Sequence, residues 1–154
     1  MLVSPDQVPP ISSEEMMDVC RRFTSHRDYK GLVATSLDPD AGPAPGIWKP
    51  FRLWEISLRN ELAILRAAAQ NISAEKFLRE SPGVLGTSSI AAEAMSGKSP
   101  LEAELYLDGC RWAKIEELCT GHYFDIEYLR SYRLKLLILE RHVKFNEEQG
   151  FAAY

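Results

Sequence analysis

The chain has 154 residues, 45% hydrophobic and 26% charged, which suits one globular domain with one core rather than a disordered chain. Lys plus Arg total 18 against 22 Asp plus Glu, a net charge of −4 with no dense basic patch, so a dedicated nucleic-acid binder is disfavoured. No apolar run reaches the roughly 20 residues of a membrane span, MLVSPDQVPP lacks the layout of a signal peptide, and three cysteines without a CxxC pair suit a reducing cytosol.

Residues 1–11 are expected to be irregular, because Pro5, Pro9 and Pro10 remove backbone donors. Ser12 and Glu15 form a capping box, with Ile11 and Met16 placed as a hydrophobic staple. The apolar set Met16, Val19, Cys20 and Phe23 follows at helical spacing. Ser25 and Asp28 cap a second short helix with Tyr29, Leu32 and Val33, which fails by Asp38-Pro39. The segment DPDAGPAPG makes 38–47 a loop between this small helical pair and a main bundle. The expected organisation is one all-helical domain over 12–150.

A long helix is predicted from Trp48 to Gln70, carrying Phe51, Trp54, Leu58, Leu62, Leu65 and Ala69. Ser73 caps a short helix with Phe77 and Leu78, and SPGVLG breaks the chain again. Thr87 or Ser88 opens an Ala-rich helix ending at Ser96-Gly97. Ser99, Pro100 and Glu102 are a strong start signal for a helix carrying Leu101, Leu105, Trp112, Ile115 and Cys119, ending near Gly121. Asp125 caps the last helix, with Phe124 and Leu129 as its staple and Gly150 as its stop. Period-two alternation is absent, so the fold class is all-α: an irregular bundle of two or three long helices and several short ones.

Two of the long helices are apolar on two sides. Leu53, Ile56 and Ile64 oppose the Phe51/Trp54/Leu58 stripe. In the last helix Leu129, Tyr132, Leu136, Leu139 and Val143 form one stripe, and Leu134, Ile138 and Phe145 another. The plain explanation is a central, sandwiched position. The functional one is a stripe left open for a partner. Trp54 and Trp112 fall on core stripes, whereas Trp48, at a helix entrance, is expected to be the exposed tryptophan. Glu55 with Arg59 and Glu140 with Lys144 are favourable i,i+4 pairs. Glu140 is expected to be half buried and to need a cation such as Arg133 or Arg59, an internal ion pair that fixes helix register.

No catalytic or cofactor signature of the GxSxG, HExxH or Cys–His type occurs. Cys119 and His122 are spaced like half a zinc site, which Cys110, His142 or Asp125 would have to complete; a capped helix end with His122 near Asp125 is the simpler reading. SPGVLGTSS lacks the lysine of a phosphate loop and the sheet of a nucleic-acid clamp, so it is expected to be a connecting turn. An enzyme or ligand-binding bundle would need a cavity lined together by Glu140, Arg59, His122 or Tyr132.

The segments WKPFRLWEISLRNELAILRAA, SPLEAELYLDGCRWAKIEEL and HYFDIEYLRSYRLKLLILERHVKFNEEQG together resemble a small bacterial family encoded in V/A-type ATPase gene clusters. That family is itself similar to the C/d-type central-stalk subunit. The resemblance, over roughly Ile11 to Gly150, implies a non-catalytic accessory or stalk-like subunit acting through contacts with stalk or membrane-ring subunits in ATP-coupled ion transport. It also implies a cytoplasmic protein, held at the inner membrane through its complex. Trp48, Leu53, Ile56, Asn60 and Ile64 are then the expected contact face. Glu55, Arg59, His122, Asp125, Arg133 and Glu140 are expected to be structural polar residues. Members of that family open with a Tyr-rich stretch where this chain has MLVSPDQ, which suggests a missing natural N-terminus. A C/d-type funnel has three helical units, and 154 residues suffice for one and part of a second. The alternative is a stand-alone helical adaptor with an unrelated partner.

Overall fold

The computed structural model describes residues 2–152. They form α1 (Ser13–Phe23), α2 (His26–Ala34), α3 (Trp48–Ala69), a 3-10 turn (Glu75–Phe77), α4 (Thr87–Met95), α5 (Pro100–Cys119) and α6 (Ile126–Ala152), with no strand among the described residues. No helix among them is long and apolar enough to cross a membrane.

The starts and stops follow local chemistry. Ser12/Glu15 and Ser99/Glu102 close reciprocal capping boxes on α1 and α5, and the Ser25 hydroxyl accepts from the Asp28 amide. Asp125 accepts from the Tyr128 amide at the start of α6. Beyond α3, Asn71 takes a left-handed φ of 54°, the Ile72 amide donates to the Ala67 carbonyl (3.0 Å) and the Asn71 amide to the Ala68 carbonyl (3.2 Å). This is a Schellman stop with asparagine in the usual glycine position. The start of α3 has no side-chain cap of its own. Instead Glu127, on α6, accepts from the Ile47 amide at 2.7 Å.

α5 packs on both α3 and α6; α4 packs on α3 and α5; α1 and α2 pack on each other and on α6. α6 is thus covered by α5 and by the N-terminal pair, which accounts for its two stripes. Leu134, Leu136, Ile138 and Leu139 are all buried, each stabilising the fold by about 1.5–3 kcal/mol relative to an exposed side chain. One continuous core runs from Leu2 through Met16, Cys20, Leu32, Trp48, Phe51, Trp54, Leu58, Leu107, Trp112 and Ile115 to Leu139. The 38–47 loop therefore separates the N-terminal pair in sequence, while both halves share this core.

Several local expectations are corrected. Trp48 is fully buried, and its indole N–H donates to the Ser36 carbonyl at 2.7 Å. On α1 the buried arc runs through Met16, Met17 and Cys20, leaving Val19 and Phe23 exposed. Phe124 is fully exposed and staples nothing. Val33 and Val143 are also exposed. The Ser73 helix is only a 3-10 turn with Ala74 as N-cap. Gly86, at φ 90°, is the N-cap of α4. Gly150 does not stop α6, which runs on to Ala152. A glycine ends a helix when it supplies a left-handed residue; kept helical, it only weakens the helix by about 1 kcal/mol.

Candidate functional site

The five residues expected to form a contact face differ in exposure. Trp48 and Ile56 are buried, Leu53 and Asn60 are half buried, and only Ile64 is exposed. Asn60 holds the chain after the 3-10 turn: its side chain donates to the Arg79 carbonyl (2.8 Å) and accepts from the Arg79 amide (2.9 Å).

The polar residues of the core are tied together instead. Glu55, on α3, is fully buried and accepts from Arg111 Nε and Nη2, both at 2.9 Å, and from Arg59 Nε at 2.8 Å. Asp108, one turn before Arg111 on α5, is also fully buried. It accepts from Arg111 Nη1 (2.8 Å) and from the Arg141 guanidinium, whose Nε lies at 3.1 Å, and it faces His142 Nε2 at 2.9 Å. His142 Nδ1 in turn meets the Pro5 carbonyl at 2.8 Å. The network thus joins α3, α5, α6 and the N-terminal segment.

Each of its two carboxylates is met by two arginines. Burial pushes the Glu55 pKa up, but Arg111 and Arg59 together outweigh it, and the carboxyl lies below its ordinary range. Burial, with the Arg141 charge adding to it, lowers the His142 pKa. Both ring nitrogens face acceptor oxygens, and only an imidazolium could donate to Pro5 and Asp108 at once.

A cleft opens beside this network. It has a volume of about 380 Å³ and is lined by Arg59, Arg66, Arg79, Arg111, Arg141, Glu104, Leu62, Ala63, Leu107 and Phe77. Arg79 is paired with Asp40 at 2.8 Å, and the Arg79 guanidinium holds the Asp40 carboxyl below its usual range.

The remaining expected polar residues lie apart. Glu140 is half buried, and its partner is the start of α1: it accepts from the Ser13 amide (2.6 Å) and hydroxyl (2.8 Å). A helix N-terminus thus stands where a cation was expected. Arg59 goes to Glu55, and Arg133 donates to the Thr35 carbonyl at the end of α2 (2.9 Å) while its charge acts on Glu140 from nearby. His122 meets Asp125 at 2.5 Å, and the Cys119 thiol donates to the Ser131 hydroxyl at 3.1 Å. Glu140, Arg59, His122 and Tyr132 therefore do not share a cavity. In SPGVLGTSS the first six residues are a connecting turn and the last three open α4; the Ser57 hydroxyl holds the junction, accepting from the Val84 amide (3.0 Å) and lying 2.9 Å from the Thr87 hydroxyl.

Exposed aromatic surface is concentrated elsewhere. Phe23, 83% exposed at the end of α1, and the fully exposed Phe124, just before α6, flank one shallow depression with Ile126, Tyr128 and Leu129. Tyr123, beside Phe124, is also exposed.

Residues 92–154 match a sequence family described as "Protein of unknown function (DUF2764)". The match covers the end of α4, α5 and α6. It therefore includes Asp108, Arg111, Arg141 and His142 but not Glu55 or Arg59. No curated protein and no solved structure matches the chain.

Proposed function

We propose that the protein is a non-catalytic accessory or stalk-like subunit of a V/A-type rotary ATPase, working through contacts with stalk or membrane-ring subunits. The wording of the three helical segments supports the choice of complex. The observation that carries a contact role is the bare aromatic pair Phe23 and Phe124. Water-exposed phenylalanines flanking one depression leave apolar area that a partner would bury, at about 25 cal/mol per Å². The proposed contact surface thus moves from the α3 stripe, where only Ile64 is exposed, to the α1–α6 end of the bundle.

Reconstitution tests this. The purified chain is mixed with the stalk and ring subunits of a V/A-type ATPase from the same organism and passed over a sizing column. Co-elution with a stalk or ring subunit is expected. Failure to associate with any of them sinks the proposal and favours a stand-alone adaptor.

A further inference from the structure

We infer that the arginine-lined cleft binds a phosphorylated small molecule, with its phosphoryl group among the guanidiniums and an apolar portion over Phe77. The inference is independent of the ATPase proposal, since it concerns a different face of the chain.

Five arginines from four places in the fold line one concavity: Arg59 and Arg66 from α3, Arg79 from the segment after the 3-10 turn, Arg111 from α5 and Arg141 from α6. Their internal pairing is incomplete. Arg111 is fully engaged through Nε, Nη1 and Nη2. Arg59 uses only Nε, while Arg79 and Arg141 use Nε and Nη2. Arg66 makes no hydrogen bond to any described residue; its nearest carboxylate is Glu104, at 4.0 Å. Both Nη groups of Arg59, Nη1 of Arg79 and of Arg141, and the whole Arg66 fork thus have no acceptor among the described residues.

A phosphoryl group presents several oxygens in different directions, and donors arriving from separate helices match it better than they match a single planar carboxylate. Glu104 is the opposing charge on the wall, 3.9 Å from Arg111 and 4.0 Å from Arg66, and acts as the resident counter-ion an incoming anion would displace. Phe77 lines both this cleft and an adjoining, mainly apolar depression with Ala63, Ala67 and Ile72. That continuity gives the ligand's carbon portion a place.

Calorimetric titration at low salt with phenyl phosphate, inorganic phosphate and benzoate tests the assignment. Phenyl phosphate is expected to bind saturably, more tightly than inorganic phosphate, and benzoate most weakly. Arg66→Ala should weaken both phosphates about tenfold, the loss of one charge-assisted contact. Arg66 is exposed and unbonded, so this variant should fold, which its melting curve checks. Glu104→Gln should tighten both phosphates. Phe77→Ala should weaken phenyl phosphate alone. Absence of saturable phosphate binding, benzoate binding as tightly as phenyl phosphate, or affinities indifferent to Arg66→Ala and Glu104→Gln would each overturn the inference.

Discussion

Glu55 and Arg111 face each other through two 2.9 Å hydrogen bonds, Nε to Oε2 and Nη2 to Oε1, across 56 residues of sequence. Both are buried, so each is the other's principal counter-charge and together they fix how α3 sits against α5. Removing one partner leaves an uncompensated charge in the core. Glu55→Leu is therefore expected to cost about 3–5 kcal/mol in urea unfolding. The double variant Glu55→Leu/Arg111→Met should recover part of that loss. A double variant as unstable as the sum of the singles would contradict the pairing.

The same pair predicts an acid limb. The Glu55 pKa is depressed in the fold relative to the unfolded chain. Its contribution is therefore fully present above the unfolded value of about 4.3 and is lost as pH falls through the lower, folded value. Urea midpoints measured from pH 7 downward should drop below about pH 4.3, and the drop should be shallower in Glu55→Gln.

Gly46 is the hinge into α3. Its φ is +55°, and a Cβ there would collide with the Glu127 carboxylate and the Arg130 guanidinium. That carboxylate caps α3 through the Ile47 amide. Gly46→Ala should therefore destabilise by about 2 kcal/mol or more, combining left-handed strain with displacement of the cap. Thermal unfolding measures it. Gly83→Ala, also at positive φ but with nothing near its Cβ, should cost less.

Trp48 closes the core between the 38–47 loop and α3. Trp48→Ala is expected to cost about 3–5 kcal/mol, and Trp48→Phe less, since it keeps most of the packing but leaves the Ser36 carbonyl without its donor. Tryptophan emission should be blue-shifted in the native protein, and in Trp48→Phe it should fall in intensity while the buried Trp54 and Trp112 keep it blue-shifted.

Phe23 and Phe124 should behave oppositely. Replacing both with Ser is expected to change stability by no more than about 0.5 kcal/mol for each site, because neither ring is buried. The double variant should show less self-association at high concentration in light scattering.

The helices are legible where local chemistry decides them: Ser12/Glu15, Ser25, Ser99/Glu102 and Asp125 mark starts, and apolar spacing gives α3 almost residue for residue, whereas the end of α6 lies beyond the Gly150 stop. Tertiary packing decided what local pattern could not. Val19 and Phe23 obey helical spacing yet lie outside the buried arc, because that arc turns toward Met17. Trp48 was misplaced because a helix entrance is usually solvated, whereas here the preceding loop folds over it. The buried network was visible in principle. Asp108 sits on the Leu105/Trp112/Ile115 stripe, three residues after Leu105 and four before Trp112, and a charge on an apolar stripe asks for a buried partner. Arg111, three residues on along α5, is its local partner; that Arg141 also answers it, and that Glu55 joins from α3, depends on how three helices meet, and no spacing within one of them encodes that.

On the proposed function, the Phe23/Phe124 end of the bundle contacts a rotary-ATPase subunit. The most direct measurement places a photo-crosslinking amino acid at position 124 in cells that contain the complex and identifies the attached peptide by mass spectrometry. A crosslink to a stalk or ring subunit is expected, absent when the crosslinker sits at the buried position 136. Crosslinks only to unrelated proteins, or none from position 124, would contradict it.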